Sequence, residues 1–219
     1  MTVLLLRIEG PMQSWGITSR FTERDTGTEP SKSGVVGMIC SALGRNRESD
    51  ISDLAQLRMG VRVDREGRMM RDFHTIKDVA RAGRGGTQDT AVSNRYYLSD
   101  ARFLVGLEGD LSLLEQIKTA LENPKWTLFL GRKSFVPSMP VAVPDGLVDE
   151  SLEEVLRSHP WFGREREEIP ERLRMVVECG PQEGTAVADQ PVDMELRKFG
   201  LRNVKIVWYD TPSMTRGDS

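Results

Sequence analysis

The segment Pro30–Gly44 begins with residues suited to holding a phosphate. Hydroxyl, ammonium and glycine groups stand together in its first part: Ser31, Lys32, Ser33 and Gly34. Val35–Leu43 continues with apolar residues at helical spacing, so the segment predicts a helix capped by a serine and ended by Gly44. Backbone N–H groups at a helix N-terminus lack intrahelical partners and attract an anion. A well-capped core helix with an exposed lysine is the alternative, and this segment alone does not decide between them.

A nucleotide-binding P-loop does not fit Gly27–Ser33. That motif needs a glycine directly before the lysine, where this sequence has Ser31. Its first glycine is also one place too close, and Pro30 removes a backbone donor. The sequence therefore disfavours an ATPase.

The charge is unevenly distributed along the 219 residues. The net charge is −3, but residues 1–140 carry 20 basic and 17 acidic side chains, whereas residues 141–219 carry 10 and 16. A basic front and an acidic rear allow a nucleic-acid partner, although a solvated mixed surface would look similar. Two cysteines and two histidines without metal-ligand spacing predict no metal and no cofactor. The apolar run at Val3–Leu6 is too short for a signal peptide or a membrane span, so we expect a cytoplasmic protein.

The order of elements predicts an α+β fold. The predicted elements are a central strand Val3–Ile8, the helix Pro30–Gly44, a strand Leu57–Val63 with a hairpin partner Met69–Ile76, a strand resuming at Tyr96, a helix after Ser112 and a strand Trp126–Leu130. This is the ferredoxin-like, RRM-like βαββαβ order. We assign it to residues 1–145, with a long hairpin insertion at about 77–95 that is rich in glycine and arginine.

Residues 146–219 predict a small β-rich C-terminal subdomain. Asp149–Arg157 has the pattern of a short acidic helix, and Arg172–Cys179 and Asn203–Tyr209 have the pattern of strands.

Five blocks of the sequence resemble a known family in the same order and at the same spacing. They are Leu5–Gly16, Pro30–Gly37, Asp72–Thr75, Tyr97–Ala101 and Phe129–Ser134. The family comprises the subunits that bind the 5′ handle of the CRISPR RNA in Cascade, the type I-E CRISPR surveillance complex, and it belongs to the RAMP superfamily. The resemblance covers roughly residues 3–140 and becomes faint from 145 onward.

The resemblance implies a non-catalytic RNA-binding subunit in antiviral defence. Its partners would be the CRISPR RNA and the backbone and large subunits of Cascade, which the insertion would touch as a thumb. It would meet target DNA only indirectly, and no membrane. Single-stranded RNA is held by a basic groove and by planar groups that stack on bases. The expected RNA-binding residues are Gln13, Ser14, Trp15, Arg20, Ser31, Lys32, Ser33, Gly34, His74, Arg81, Arg84, Arg95, Tyr97, Arg132 and Lys133. For Trp15, a place in the core is the alternative.

Two other functions remain open. A metal-independent endoribonuclease that processes CRISPR repeat RNA would use His74, Lys77, Tyr96 and Tyr97, as relatives in type I-C systems cut RNA on a similar fold. Against it, a separate subunit cuts the RNA in type I-E systems, and these side chains can equally pack or stack. A stand-alone adaptor for cellular RNAs is the third possibility.

Overall fold

The computed structural model describes residues 1–17, 22–80, 85–164 and 167–212, without the side chains of Ala80 and Gln88. The described elements, in chain order, are β1 (Thr2–Glu9), β2 (Met12–Gln13), β3 (Glu23–Arg24), α1 (Lys32–Leu43), α2 (Ser52–Ala55), β4 (Arg58–Arg65), β5 (Arg68–Ala80), β6 (Thr87–Ser99), β7 (Arg102–Gly109), α3 (Leu111–Glu122), β8 (Ala142–Val148), α4 (Leu152–Ser158), β9 (Arg172–Cys179), β10 (Thr185–Asp193) and β11 (Lys198–Asp210). This confirms an α+β fold. Among these elements, no helix is long and apolar enough to cross a membrane.

The larger sheet has seven strands in the order β10-β11-β9-β4-β7-β1-β8, and every neighbouring pair is antiparallel. β1 lies between β7 and β8, which confirms the internal strand predicted from its continuous apolar run. Both edge strands contain a proline, Pro144 in β8 and Pro191 in β10. Proline lacks the N–H that a further strand would need, so both edges resist strand addition.

Helices cover both faces of this sheet. Leu4, Leu6 and Ile8 of β1 enter the core beneath α1 and α3, whereas Val3 and Leu5 enter a second core beneath α4. The alternation of side chains along a strand therefore supplies both cores from one apolar run.

The second sheet is built on a long hairpin. β6 pairs with β5 and with β2 in antiparallel fashion, and with β3 in parallel. The predicted pairing of Met69–Ile76 with the preceding strand is wrong, because β4 already has β7 and β9 on its two edges. The chain turns at Gly67, whose φ is +75°, and enters the second sheet instead.

The hairpin insertion predicted at about 77–95 is the end of a longer hairpin formed by β5 and β6. β5 continues to Ala80, and β6 begins at Thr87. Many hairpin side chains on both faces are exposed, so the sequence shows no apolar alternation there. Cross-strand pairs such as Thr75 with Val92 stabilise it locally.

The predicted strand Trp126–Leu130 is also wrong. The Leu130 N–H donates to the Phe135 carbonyl at 2.7 Å, and its carbonyl accepts from the Ser14 N–H at 3.0 Å, so this segment forms turns rather than a ladder. The strand in this part of the chain is β8, whose edge position tolerates Pro144.

The C-terminal residues extend the larger sheet. α4, β9 and β11 confirm the three predicted C-terminal elements, whereas β10, with Asp189, Gln190 and Pro191 in its sequence, has no strand-like pattern. β9 pairs with β4, so strands from both sides of residue 145 share one sheet. The division into units 1–145 and 146–219 stays a prediction.

Candidate nucleic-acid interface

The N-terminus of α1 has the predicted cap. The Ser31 Oγ accepts a hydrogen bond from the Gly34 N–H at 3.3 Å, and Gly44 ends the helix in the left-handed conformation. A Cβ on Gly34 would lie 2.8 Å from Cε3 of Trp15, so glycine lets the indole pack against the helix start. The serine and glycine signals in the sequence therefore reflect capping and close packing.

The Lys32 side chain points into the protein. Its Nζ lies 3.1 Å from Oε2 of Glu178, and only 2% of the side chain is exposed. Burial lowers the pKa of Lys32 although the Glu178 carboxylate opposes that shift. The Lys32 N–H donates to Oδ2 of Asp189 at 2.7 Å, and Arg202 holds the same carboxylate through two hydrogen bonds. The helix start thus already faces a carboxylate of the protein, and a phosphate contact by Lys32 stays a prediction.

Gln13 and Trp15 form a buried support next to α1. The Gln13 Nε2 donates to the Ala101 carbonyl at 2.7 Å, and the Trp15 Nε1–H donates to Oε1 of Gln13 at 3.1 Å. Trp15 is 1% exposed, so it lies in the core. In the sequence analysis, this position is the alternative to a role in stacking on RNA bases. Both residues hold the helix start in place.

The loop Gly131–Lys133 is held against the same segment. Gly131 has a φ of +86°, and a Cβ at this position would collide with the carbonyl of Ser14. The Arg132 guanidinium donates to the Tyr96 carbonyl at 2.8 Å and lies 5.3 Å from the centre of the Phe135 ring. Burial lowers the pKa of Arg132, and Arg95 adds to this effect. Arg132 therefore ties this loop to the hairpin, while Lys133 remains exposed.

A groove of about 840 Å³ lies beside α1 and brings six of the predicted residues together: Ser14, Trp15, Ser31, Ser33, Gly34 and Lys133. No aspartate or glutamate is among the described residues that line it. The lining also includes residues that sequence reasoning missed: Arg45, Arg47, Trp126, Phe129, Met194, Arg197 and Phe199. For Arg45 and Arg47, their position directly after Gly44 was an available signal. For Met194, Arg197 and Phe199 there was none, because they come from the distant turn between β10 and β11 and from the start of β11.

Arg45 differs from the other cations of the groove. Its Nη1 and Nη2 donate to the two carboxylate oxygens of Asp53 at 2.6 and 2.7 Å, and this bond raises the pKa of Arg45. Arg47, Lys133 and Arg197 have no ion-pair partner among the described residues. These three charges are available to an anionic ligand.

The other predicted residues that the structure describes do not line this groove. His74, Arg95 and Tyr97 are on the hairpin strands β5 and β6. The Arg95 Nε donates to Oγ of Ser93 at 3.2 Å. Arg20, Arg81 and Arg84 lie outside the described residues.

The four side chains of the endoribonuclease alternative do not converge. In the register of β5 and β6, His74 and Tyr97 share one face of the hairpin, and Lys77 and Tyr96 share the other. His74 faces Ser93, four residues from Tyr97, which is about 13 Å along a strand. Among the described residues there is also no group of three His, Cys, Asp or Glu side chains that could hold a metal ion.

The fold and the groove describe an α+β protein with a surface suited to single-stranded nucleic acid, because cations and aromatic rings line it together. The sequence matches the family model described as CRISPR-associated protein (Cas_Cas5) over residues 3–205. The chain belongs to this family.

Known relatives agree with that assignment. The chain is 33% identical over 147 residues to the CRISPR system Cascade subunit CasD of Escherichia coli (strain K12), a match that covers 60% of this chain and 65% of CasD. A solved structure described as a Cas protein is 44% identical, with a TM-score of 0.80 and coverage of 97% of this chain and 98% of that one. A chain of a CRISPR RNA-guided surveillance complex is 34% identical, with a TM-score of 0.78 and coverage of 96% and 91%. These matches confirm the resemblance to the Cascade subunits.

Proposed function

We propose that this chain is a non-catalytic subunit of a type I-E Cascade that binds the 5′ handle of the CRISPR RNA and helps to assemble the complex. The observation that carries this proposal is the groove beside α1. Arg47, Lys133 and Arg197 line it without a carboxylate partner among the described residues. The similarity to CasD and to a chain of an RNA-guided surveillance complex supports the choice of RNA.

The chemistry of the groove fits a single strand better than a duplex. Unpaired bases can stack on aromatic rings while the phosphates meet cations, whereas bases in a duplex are stacked on each other. Trp126 and Phe199 supply rings, and Arg47, Lys133 and Arg197, which have no ion-pair partner in the described part of the chain, supply charge. Ser33 adds a hydroxyl group at the helix start.

A ferredoxin-like core is part of this proposal. β4-β7-β1-β8 are adjacent and antiparallel, with α1 between β1 and β4 and α3 between β7 and β8. This order supports a βαββαβ domain in residues 1–145. The β-rich residues 146–219 would form the second unit.

The hairpin of β5 and β6 would act as the thumb that meets the backbone and large subunits of Cascade. Its arms expose large apolar side chains without a core to pack on: Met69, Met70, Phe73, Ile76 and Val92. Exposed apolar surface of this kind is typical of an interaction site. Within Cascade the chain would act in the cytoplasm and would meet target DNA only indirectly.

Cleavage of RNA is not part of the proposed function. His74 and Tyr97 share a face of the hairpin but stand about 13 Å apart along it, and Lys77 and Tyr96 lie on the other face, so these four side chains do not meet at one phosphate. Repeat RNA incubated with the protein should remain intact.

The test is binding of handle RNA by the chain co-expressed with partner subunits. Arg47→Glu and Lys133→Glu should each weaken binding and lower the salt slope by roughly 0.7 for each lost phosphate contact. Arg157→Glu is the control, because Arg157 is exposed on α4 and outside the groove. Equal affinity for the handle and for an unrelated RNA, or assembly that does not need this chain, would refute the proposal.

A further inference from the structure

The groove beside α1 has two walls that are far apart in the sequence. One wall is the segment after α3, where the N–H groups of Lys125 and Trp126 donate to the carbonyls of Ala42 and Ser41 at the end of α1, at 2.9 and 3.1 Å. The other wall is formed by the turn between β10 and β11, which carries Met194 and Arg197, and by the start of β11, which carries Phe199. Met194 Cε lies 3.7 Å from the position of a Cβ on Gly37, so this turn packs on the middle of α1.

Each wall presents one aromatic ring to the solvent. Trp126 is 45% exposed and Phe199 is 42% exposed. Neither ring has an aromatic or cation–π contact among the described residues, and the indole N–H of Trp126 has no hydrogen-bond partner there. Trp15, which lines the same groove, is by contrast packed in the core.

Cations accompany both rings. Arg47, Lys133 and Arg197 line the same groove. In the sequence, Arg47 follows the end of α1, Lys133 follows Trp126 by seven residues, and Arg197 lies two residues before Phe199. Arg197 has a φ of +51°, so the turn holds it in a conformation that few arginines adopt. Ring and cation together match the base and the phosphate of one nucleotide.

We propose that Trp126 and Phe199 are stacking platforms for two unpaired bases of the RNA. The turn between β10 and β11 and the start of β11 then form part of the RNA site. This rests on the proposed function, and it gives residues 192–200 a direct role in binding. Stacking of a base on an aromatic side chain tolerates any base, since every base has a π-face. The platforms therefore add affinity and fix the path of the strand without selecting a sequence.

The experiment uses the co-expressed complex and handle RNA that carries 2-aminopurine at one position at a time. In the parent, at least two positions should show strong quenching of fluorescence by stacking. Trp126→Ala and Phe199→Ala should each restore fluorescence at a different position and weaken RNA binding about 5- to 100-fold. Trp126→Phe should retain part of the quenching.

Trp208→Ala is the matched control, because Trp208 is similarly exposed but lines a different groove, with Arg172 and Arg174. Bound RNA with unchanged fluorescence in both groove variants would overturn the stacking proposal and leave the proposed function standing. Loss of a protein subunit without any change in fluorescence would also overturn it, in favour of a protein-docking role for the rings. A parent complex without bound RNA would refute the proposed function itself.

Discussion

The ammonium of Lys32 and the carboxylate of Glu178 lie 3.1 Å apart, which joins the first turn of α1 to β9. Lys32 is almost fully buried and Glu178 is largely buried. The pair therefore links the helix that borders the groove to the C-terminal strands of the sheet.

Glu178→Gln should lower the free energy of unfolding by about 2 kcal/mol, because it leaves a buried ammonium without its charged partner. Urea unfolding measures this. Lys118→Met is the control, since Lys118 forms only an exposed pair with Glu122 and should lose about 0.5 kcal/mol or less.

If Lys32 only positions α1, Lys32→Met should weaken RNA binding without changing its salt slope, whereas a phosphate contact would lower that slope by roughly 0.7.

Gly131→Ala should destabilise the protein by about 1–3 kcal/mol. The positive φ and the collision of a Cβ with the Ser14 carbonyl both oppose a side chain here. Gly180→Ala is the matched control, because a Cβ at Gly180 meets no atom within 4 Å. Equal melting temperatures of the two variants would contradict this account of the loop.

Deletion of residues 81–90 should leave the fold intact but impair assembly around the 5′ end of the RNA. None of the described residues 85–90 belongs to either core, so circular dichroism and thermal melting should change little. Hydrogen exchange of residues 77–94 should be fast in the free chain and slow in the RNA-bound complex. Normal assembly of the deletion variant would remove the basis for a thumb.

Glu167→Gln should flatten the loss of stability in acid. The hydrogen bond from Arg102 lowers the pKa of Glu167 below its usual 4.5, with Arg65 adding to the effect. A carboxyl group with a lowered pKa stabilises the fold above its unfolded pKa and loses that contribution as the pH falls through the folded value. Urea unfolding from about pH 6 to about pH 3, the range in which carboxyl groups titrate, measures this change. Glu168→Gln is the control, because Glu168 is an exposed neighbour.

Tyr209 should ionise late, because burial raises its pKa to about 12. An acid whose folded pKa lies above the unfolded value of 10.0 contributes stability at neutral pH that is lost as the pH rises toward 12. Titration of tyrosinate absorbance should show a late phase that Tyr209→Phe removes and Tyr96→Phe retains. A titration without that phase would mean that Tyr209 is more open to solvent than its position beneath α4 implies.

The sequence predicted β1 and α1 because each is determined by residues within the element or directly beside it. The apolar run of β1 and the serine and glycine at the ends of α1 act within a few residues, so the sequence alone was enough for them. The extent and pairing of the hairpin strands were predicted less well, because many side chains on both of their faces are exposed, which hides the alternation of a half-buried strand.

The site was predicted only in part, because its parts come from distant segments. Ser33, Gly34 and Lys133 were found from their types, and the structure brings them to one groove. Arg197 and Phe199 reach that groove only because β9 joins the sheet beside β4, and nothing in their local sequence indicates this. The burial of Lys32 likewise depends on Glu178, which no pattern near α1 could indicate.

The bond from the Lys32 N–H to Asp189 spans 157 positions, and this separation has a consequence during synthesis. At about 5–20 residues per second, a ribosome needs about 8–30 s to add the residues between them. Throughout that interval the nascent α1 has neither the carboxylate at its first turn nor the turn that forms the far wall of the groove. The groove beside α1 can therefore be completed only after the ribosome has added β10 and the turn that follows it.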